Sequence, residues 1–114
     1  MESILTSIKK LVGIAEDYTV FDTDFIIYIN SAFATLNQLG IGPVEGFSIV
    51  DASSKWSDYG VATPMLDHVK SYVYLKVKTI FDPSLSSSVT NSMNNMITEL
   101  EWRLNEVAES AEFK

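Results

Sequence analysis

Cysteine is absent from this 114-residue chain, and with it every function that needs a thiol. Disulfide bridges, zinc sites with cysteine ligands and thiol catalysis are therefore excluded. Proline is scarce, with three residues, and no apolar run approaches the roughly 20 residues that a membrane-spanning helix needs. We expect neither a disulfide-stabilised scaffold nor a membrane protein.

Positive charge is scarce as well. Eight Lys and Arg residues stand against fifteen Asp and Glu residues, which gives a net charge of −7, and Arg103 is the single arginine. Specific recognition of DNA or RNA normally relies on a basic patch, and arginine is the side chain best suited to paired phosphate contacts. The composition therefore argues against specific nucleic-acid binding and against attraction to an anionic membrane surface.

Apolar content, by contrast, is ample for folding. Hydrophobic residues make up 46% of the chain and charged residues 20%, which is typical of a globular protein. The length predicts a single domain over residues 1–114. Apolar residues recur at helical spacing in four segments, at about 2–12, 23–39, 64–81 and 87–108. We expect a mainly α fold, with a short β-hairpin or packed loop at 46–59.

Residues with capping or helix-ending properties mark the predicted boundaries. The predicted ends lie at Gly13 for the first helix, at Asp22 or Thr23 and Gly40 for the second, and at Thr63-Pro64 and Asp82-Pro83 for the third. In the first helix, Ile4, Ile8 and Leu11 form one apolar stripe, which predicts its buried face.

The third segment is ambiguous from its residues alone. Between residues 71 and 79, Val73, Leu75 and Val77 alternate with tyrosines and lysines, a pattern that favours a strand. Helical spacing over a longer stretch and the Thr63-Pro64 start favour a helix. Periodicity leaves both interpretations open, and length favours the helix.

Residue patterns that could support chemistry are weak. His68 is the only histidine and has no facing acid on its helix, so no catalytic triad is predicted. Asp17, Asp22 and Asp24 lack the spacing of a calcium loop, and helix capping explains the last two better. The glycines in 40–46 follow a predicted helix and lack a phosphate-binding lysine. We predict a protein that is not an enzyme and that uses no metal or other cofactor.

Several aromatic residues fall off the predicted apolar stripes. Tyrosine and tryptophan are enriched at protein interfaces, although a second core face could also absorb them. Glu106 and Glu109 crowd the end of the last helix, where negative charge is unfavourable unless a partner offsets it. The candidate subunit or partner interface residues are Trp56, Tyr59, Tyr72, Tyr74, Trp102, Glu106 and Glu109.

Five blocks of sequence resemble one known family. In order, they are Phe21–Phe33 (FDTDFIIYINSAF), Leu36–Phe47 (LNQLGIGPVEGF), Trp56, Val69–Pro83 (VKSYVYLKVKTIFDP) and Glu99–Asn105 (ELEWRLN). Each block is short, but together they run in the expected order over nearly the whole chain. The chain resembles the small head–tail connector (adaptor) proteins of long-tailed bacteriophages and prophages.

This resemblance implies a mostly helical structural protein of the virion, with a helix at 71–79. Such adaptors assemble as a ring, usually of about twelve copies, between the portal protein and the next neck or tail-completion protein. The ring extends the channel through which packaged DNA passes without sequence-specific binding. Before assembly, the protein would reside in the host bacterial cytoplasm. A wall of net negative charge suits such a channel, because it repels phosphate.

A second function class shares the same sequence features. A small acidic protein-binding or regulatory protein, acting as a monomer or a two-fold dimer, would also expose aromatic residues on a helical fold. Its stoichiometry would distinguish it from a connector, because a ring needs two different contact patches on each subunit.

Overall fold

Four α-helices and one short 3₁₀ helix form the regular structure of the described chain. The computed structural model describes residues 2–81 and 87–112. The helices are α1 Ile4–Val12, α2 Asp22–Gln38, α3 Met65–Phe81 and α4 Ser87–Glu112, and the 3₁₀ helix is Trp56–Tyr59. Among these residues the only β pairing is an isolated bridge between Ser3 and Lys55. The predicted mainly α fold is confirmed, and the segment 46–59 is a packed loop rather than a hairpin.

One apolar core is shared by all four α-helices. Helix α3 lies at its centre and packs against α1, α2 and α4. Fully buried members are Ile4 and Ile8 of α1, Phe25, Ile29, Phe33 and Leu36 of α2, Val69, Val73 and Val77 of α3, and Leu104 of α4. Such burial of large apolar side chains is the main source of stability in a domain of this size.

The central position of α3 explains its ambiguous sequence. Because the helix has neighbours on several sides, it buries Tyr72 and Leu75 as well as the Val69–Val73–Val77 stripe. Apolar side chains around much of a helix blur its period and can imitate the alternation of a strand. The helix ends at Phe81, directly before the predicted stop at Asp82-Pro83, which lies outside the described residues.

The ends of α1 follow standard capping rules. The Thr6 N–H donates to Ser3 Oγ at 3.3 Å, and Gly13 takes a left-handed conformation (φ +98°) that ends the helix as predicted. The predicted buried stripe is only partly right. Ile4 and Ile8 are in the core, but Leu11 is 56% exposed. The buried face is instead turned toward Leu5 and Lys9, because the neighbouring helices cover that side.

A buried lysine connects α1 to the start of α2. The Lys9 side chain is 3% exposed, and its Nζ lies 2.8 Å from Asp22 Oδ1. The same ammonium donates to the carbonyl oxygens of Glu16, at 3.0 Å, and Tyr18, at 2.8 Å. The prediction that Asp22 caps α2 is therefore wrong. Phe21 occupies the cap position without a side-chain hydrogen bond, and the Asp22 carboxylate pairs with Lys9.

The loop between α2 and α3 is held by α2. Asn30 Oδ1 accepts from the Ile49 N–H at 2.7 Å, and Asn30 Nδ2 donates to the Ile49 carbonyl at 2.9 Å. Phe33 packs against Phe47 and Tyr59 with ring centroids 5.0 Å apart in both pairs. The loop therefore contributes large side chains to the core and is part of the folded body.

Candidate functional site

Three of the predicted interface residues lie inside the subunit. Trp56, Tyr59 and Tyr72 are each at most 1% exposed. The Trp56 Nε1–H donates to Ser7 Oγ at 2.7 Å, and the Tyr72 hydroxyl donates to Glu101 Oε2 at 2.7 Å. Packing within one chain thus accounts for the burial of these three aromatic residues.

Burial also changes the acidity of two of these groups. Burial raises the pKa of the Tyr59 phenol to about 12. The pKa of Tyr72 is raised further, first by burial and then by the Glu101 carboxylate, which accepts its proton in a hydrogen bond. Both phenols therefore stay neutral well above the pH at which an exposed tyrosine ionises.

The other predicted residues are more accessible. Trp102 is 63% exposed, Glu106 and Glu109 are exposed, and Tyr74 is half-buried against the core. Trp102 lies two residues from the buried Leu104, and residues two apart point about 200° apart on a helix. Trp102 is therefore on the outer side of α4, as the off-stripe position predicted.

A groove runs along the line where α4 meets the start of α3. Its volume is about 460 Å³, and we call it the α3–α4 groove. It is lined by Pro64, Met65 and His68 of the α3 end and by Trp102, Arg103, Leu104, Glu106 and Val107 of α4. A second hollow of about 370 Å³ continues along the same two helices and shares His68 and Arg103.

The α3–α4 groove is lined by one guanidinium, from Arg103, and one carboxylate, from Glu106. Arg103 donates to Glu99 Oε1 at 2.8 Å, so an acid on the same helix offsets its positive charge. Among the described residues, no basic residue lies in the last turn of α4 to offset Glu106 and Glu109. The C-terminal end of a helix also carries partial negative charge from its backbone dipole. The outer end of α4 is thus an acidic surface with exposed apolar side chains.

A smaller groove, which the sequence did not predict, lies on α1. It has a volume of about 200 Å³ and is lined by Glu2, Ser7, Lys10, Leu11, Trp56 and Lys70. The Lys70 ammonium lies 5.7 Å from the centre of the Trp56 ring, a cation–π contact. We call this surface the lysine groove. In the sequence, Lys10 stands beside Leu11 at the edge of the predicted apolar stripe of α1, and this pair is the signal that could have indicated the groove.

Groups suited to metal binding do not converge within the described residues. There, no cluster of three or more His, Asp or Glu side chains is close enough to hold a metal ion. His68 lies on the surface and lines both hollows between α3 and α4. What these surfaces offer chemically is contact area with apolar centres and charged edges, as a protein partner needs.

Comparison with known proteins identifies the family. The model of the family described as "Phage connector protein" matches residues 4–111, which is nearly the whole chain. The chain belongs to the phage connector family. No curated protein and no solved structure matches it.

Membership confirms the resemblance noted in the sequence. A phage connector is a structural component of the phage neck and contacts other head or tail proteins. In the described part of this connector, no helix is long and apolar enough to cross a bilayer. The α3–α4 groove and the lysine groove are its candidate contact surfaces.

Proposed function

We propose that this connector is the repeating subunit of a ring, with about twelve copies, that joins the portal protein to the next neck or tail-completion protein. The whole chain, residues 1–114, acts as one connector domain in this ring. The observation that carries the proposal is the connector family match over residues 4–111. The exposed Trp102 at the α3–α4 groove supports it, because tryptophan is highly buried on average and is enriched at protein–protein interfaces.

The charge of the chain suits the proposed channel. Each copy brings a net charge of −7, so a closed ring concentrates negative charge around its axis. Double-stranded DNA carries one negative charge per roughly 1.7 Å of its axis, and an acidic wall does not retain it. In this proposal the ring lets packaged DNA slide through without binding it, and the protein functions in the virion after assembly in the host bacterial cytoplasm.

The mass of the assembled protein tests this function directly. We would measure it by sedimentation over a wide concentration range, alone and with the portal protein of the same phage, and image the largest species in negative stain. Rings are the expected result in at least one of the two conditions. A two-fold dimer in both conditions would refute the ring and favour the small acidic regulatory protein instead.

Trp102 supplies a variant for the same measurement. We expect Trp102→Ala to weaken ring assembly by about tenfold or more. Tryptophan is enriched among the interface residues whose truncation costs about 2 kcal/mol or more of binding free energy. The variant should fold normally, because most of the side chain faces solvent. Val44→Ala is the matched control, since Val44 is 95% exposed and lies in the loop after α2. Equal assembly of Trp102→Ala and the control would remove Trp102 from the interface.

A further inference from the structure

The two grooves lie on opposite flanks of α3. His68 lines the α3–α4 groove, and Lys70 lines the lysine groove. These residues are two apart on one helix, so their side chains leave it about 200° apart. Helix α3, with α1 on one flank and α4 on another, separates the two surfaces within a subunit.

The lysine groove has the properties of a receptor for an acidic, partly apolar segment. Lys10 and Lys70 bring two ammonium groups to its edge, against one carboxylate from Glu2. Leu11, 56% exposed, provides an apolar contact beside them. In a chain of net charge −7, such a local excess of positive charge stands out from the rest of the surface.

The outer end of α4 has the complementary properties. Glu106 and Glu109 are exposed there, and Val107, 49% exposed, lies between them in the sequence. Trp102 adds an exposed aromatic ring one turn earlier. The α4 end therefore offers two carboxylates around an apolar centre, and the lysine groove offers two ammonium groups around an apolar centre.

We propose that the lysine groove of one copy receives the outer end of α4 of the next copy. The inference rests on the proposed ring and names the two surfaces that build it. Contact between two different patches is head-to-tail, and it closes into a ring when the rotation between subunits permits. A two-fold contact of either patch with its own copy would place like charges opposite each other, which is unfavourable. A reciprocal two-fold pairing would need both patches on one side of the subunit, whereas they lie on opposite flanks of α3.

Cysteine cross-linking tests this pairing, because the chain has no cysteine of its own. Leu11→Cys places a thiol in the lysine groove, and Val107→Cys places one at the α4 end. We would mix the two single variants with a short bismaleimide and measure covalent dimer over time. The control pair is Glu16→Cys with Val107→Cys, since Glu16 is exposed on the loop after α1 and lines neither groove.

The expected result is cross-linking of Leu11→Cys to Val107→Cys at least about tenfold faster than in the control pair, because docking sets a high effective concentration. Each cysteine variant alone should cross-link no faster than the control. Fast self-linking of either variant, or no enrichment over the control at any concentration reached, would overturn the inference. Rings seen without this cross-link would leave the proposed function standing and refute the pairing. The cross-link without rings would support the pairing and refute the closed ring.

Charge exchange separates electrostatic docking from a general effect of net charge. Lys10→Glu with Lys70→Glu reverses one groove, and Glu106→Lys with Glu109→Lys reverses the α4 end. We expect each charge reversal to abolish the faster cross-linking of Leu11→Cys to Val107→Cys, although the two reversals shift the net charge of the chain in opposite directions. All four substitutions in one chain should restore the faster cross-linking, because the two patches again carry opposite charges. Failure of the fourfold variant to recover, while it remains folded by circular dichroism, would count against the charge pairing.

Discussion

Replacing Lys9 by methionine removes the only charged side chain that is fully buried among the described residues. The ammonium donates hydrogen bonds to the carbonyls of Glu16, at 3.0 Å, and Tyr18, at 2.8 Å, and forms an ion pair with Asp22 Oδ1 at 2.8 Å. Methionine keeps an apolar stem of similar length but donates nothing. Lys9→Met therefore leaves the Asp22 carboxylate without its counter-ion and two carbonyls without their donor.

The expected loss is large for a domain of this size. Removing one partner of a buried ion pair typically costs about 3–5 kcal/mol, because the other charge stays behind unpaired. The Asp22 side chain is 27% exposed, although its Oδ1 is buried, so water screens the remaining charge in part and the loss should fall at the low end. We expect the free energy of unfolding to drop by about 3 kcal/mol, out of a typical total of about 5–15 kcal/mol. The melting temperature should fall by roughly 10–20 °C.

Urea unfolding followed by far-UV circular dichroism measures this change. The matched control is Lys10→Met, which removes the same charge from the next residue of α1, where the side chain is exposed. The control should stay within about 0.5 kcal/mol of the parent chain. Adding Asp22→Asn to Lys9→Met should recover part of the loss, because no buried charge then remains unpaired. Equal stability of Lys9→Met and Lys10→Met would refute this account of the α1–α2 junction.

Two further predictions concern the buried tyrosines. Gly42 has φ +87°, and a Cβ there would lie 2.6 Å from the Tyr59 hydroxyl. Gly42→Ala should therefore lower the free energy of unfolding by about 1–2 kcal/mol through backbone strain and by about 1–3 kcal/mol more through the overlap with Tyr59. Gly60→Ala, with φ +78° and open space around it, should show the backbone cost alone; equal losses in urea unfolding would contradict the predicted overlap. The raised pKa of Tyr72 means that the folded chain keeps this phenol protonated while the unfolded chain releases the proton above a pH of about 10. The free energy of unfolding should therefore decline as the pH rises from about 9 to about 11. This decline should be less steep in Tyr72→Phe than in the control Tyr18→Phe. Identical slopes of unfolding free energy against pH in the two variants would show that Tyr72 does not contribute.

The helices of this connector follow from local sequence rules. The helical spacing of apolar residues predicted all four, and Gly13 ends α1 as expected. The last helix runs to Glu112, four residues beyond its predicted end at 108. Local signals suffice here because backbone preferences and apolar spacing act within one or two turns of a helix. The sequence also indicated the connector family, because the five short blocks that resemble it occur in the expected order along the chain.

Which side chains are buried was decided by tertiary packing. The sequence makes Trp56, Tyr59 and Tyr72 candidates for an interface or for a second core face, and the loop after α2 and the position of α3 bring all three into the core. Trp102 stays outside because no described element covers the outer side of α4. A helical wheel describes one helix, whereas exposure depends on every neighbour packed around it.

The same limit applies to charge. The composition determined that this protein is acidic and carries no cysteine, and both facts hold whatever the fold. Only the folded chain shows that Lys9 is buried against Asp22, or that Lys10 and Lys70, 60 positions apart in the numbering, meet around Trp56. Contacts between distant residues depend on how α1, α3 and the loop pack together, and no local pattern encodes that arrangement.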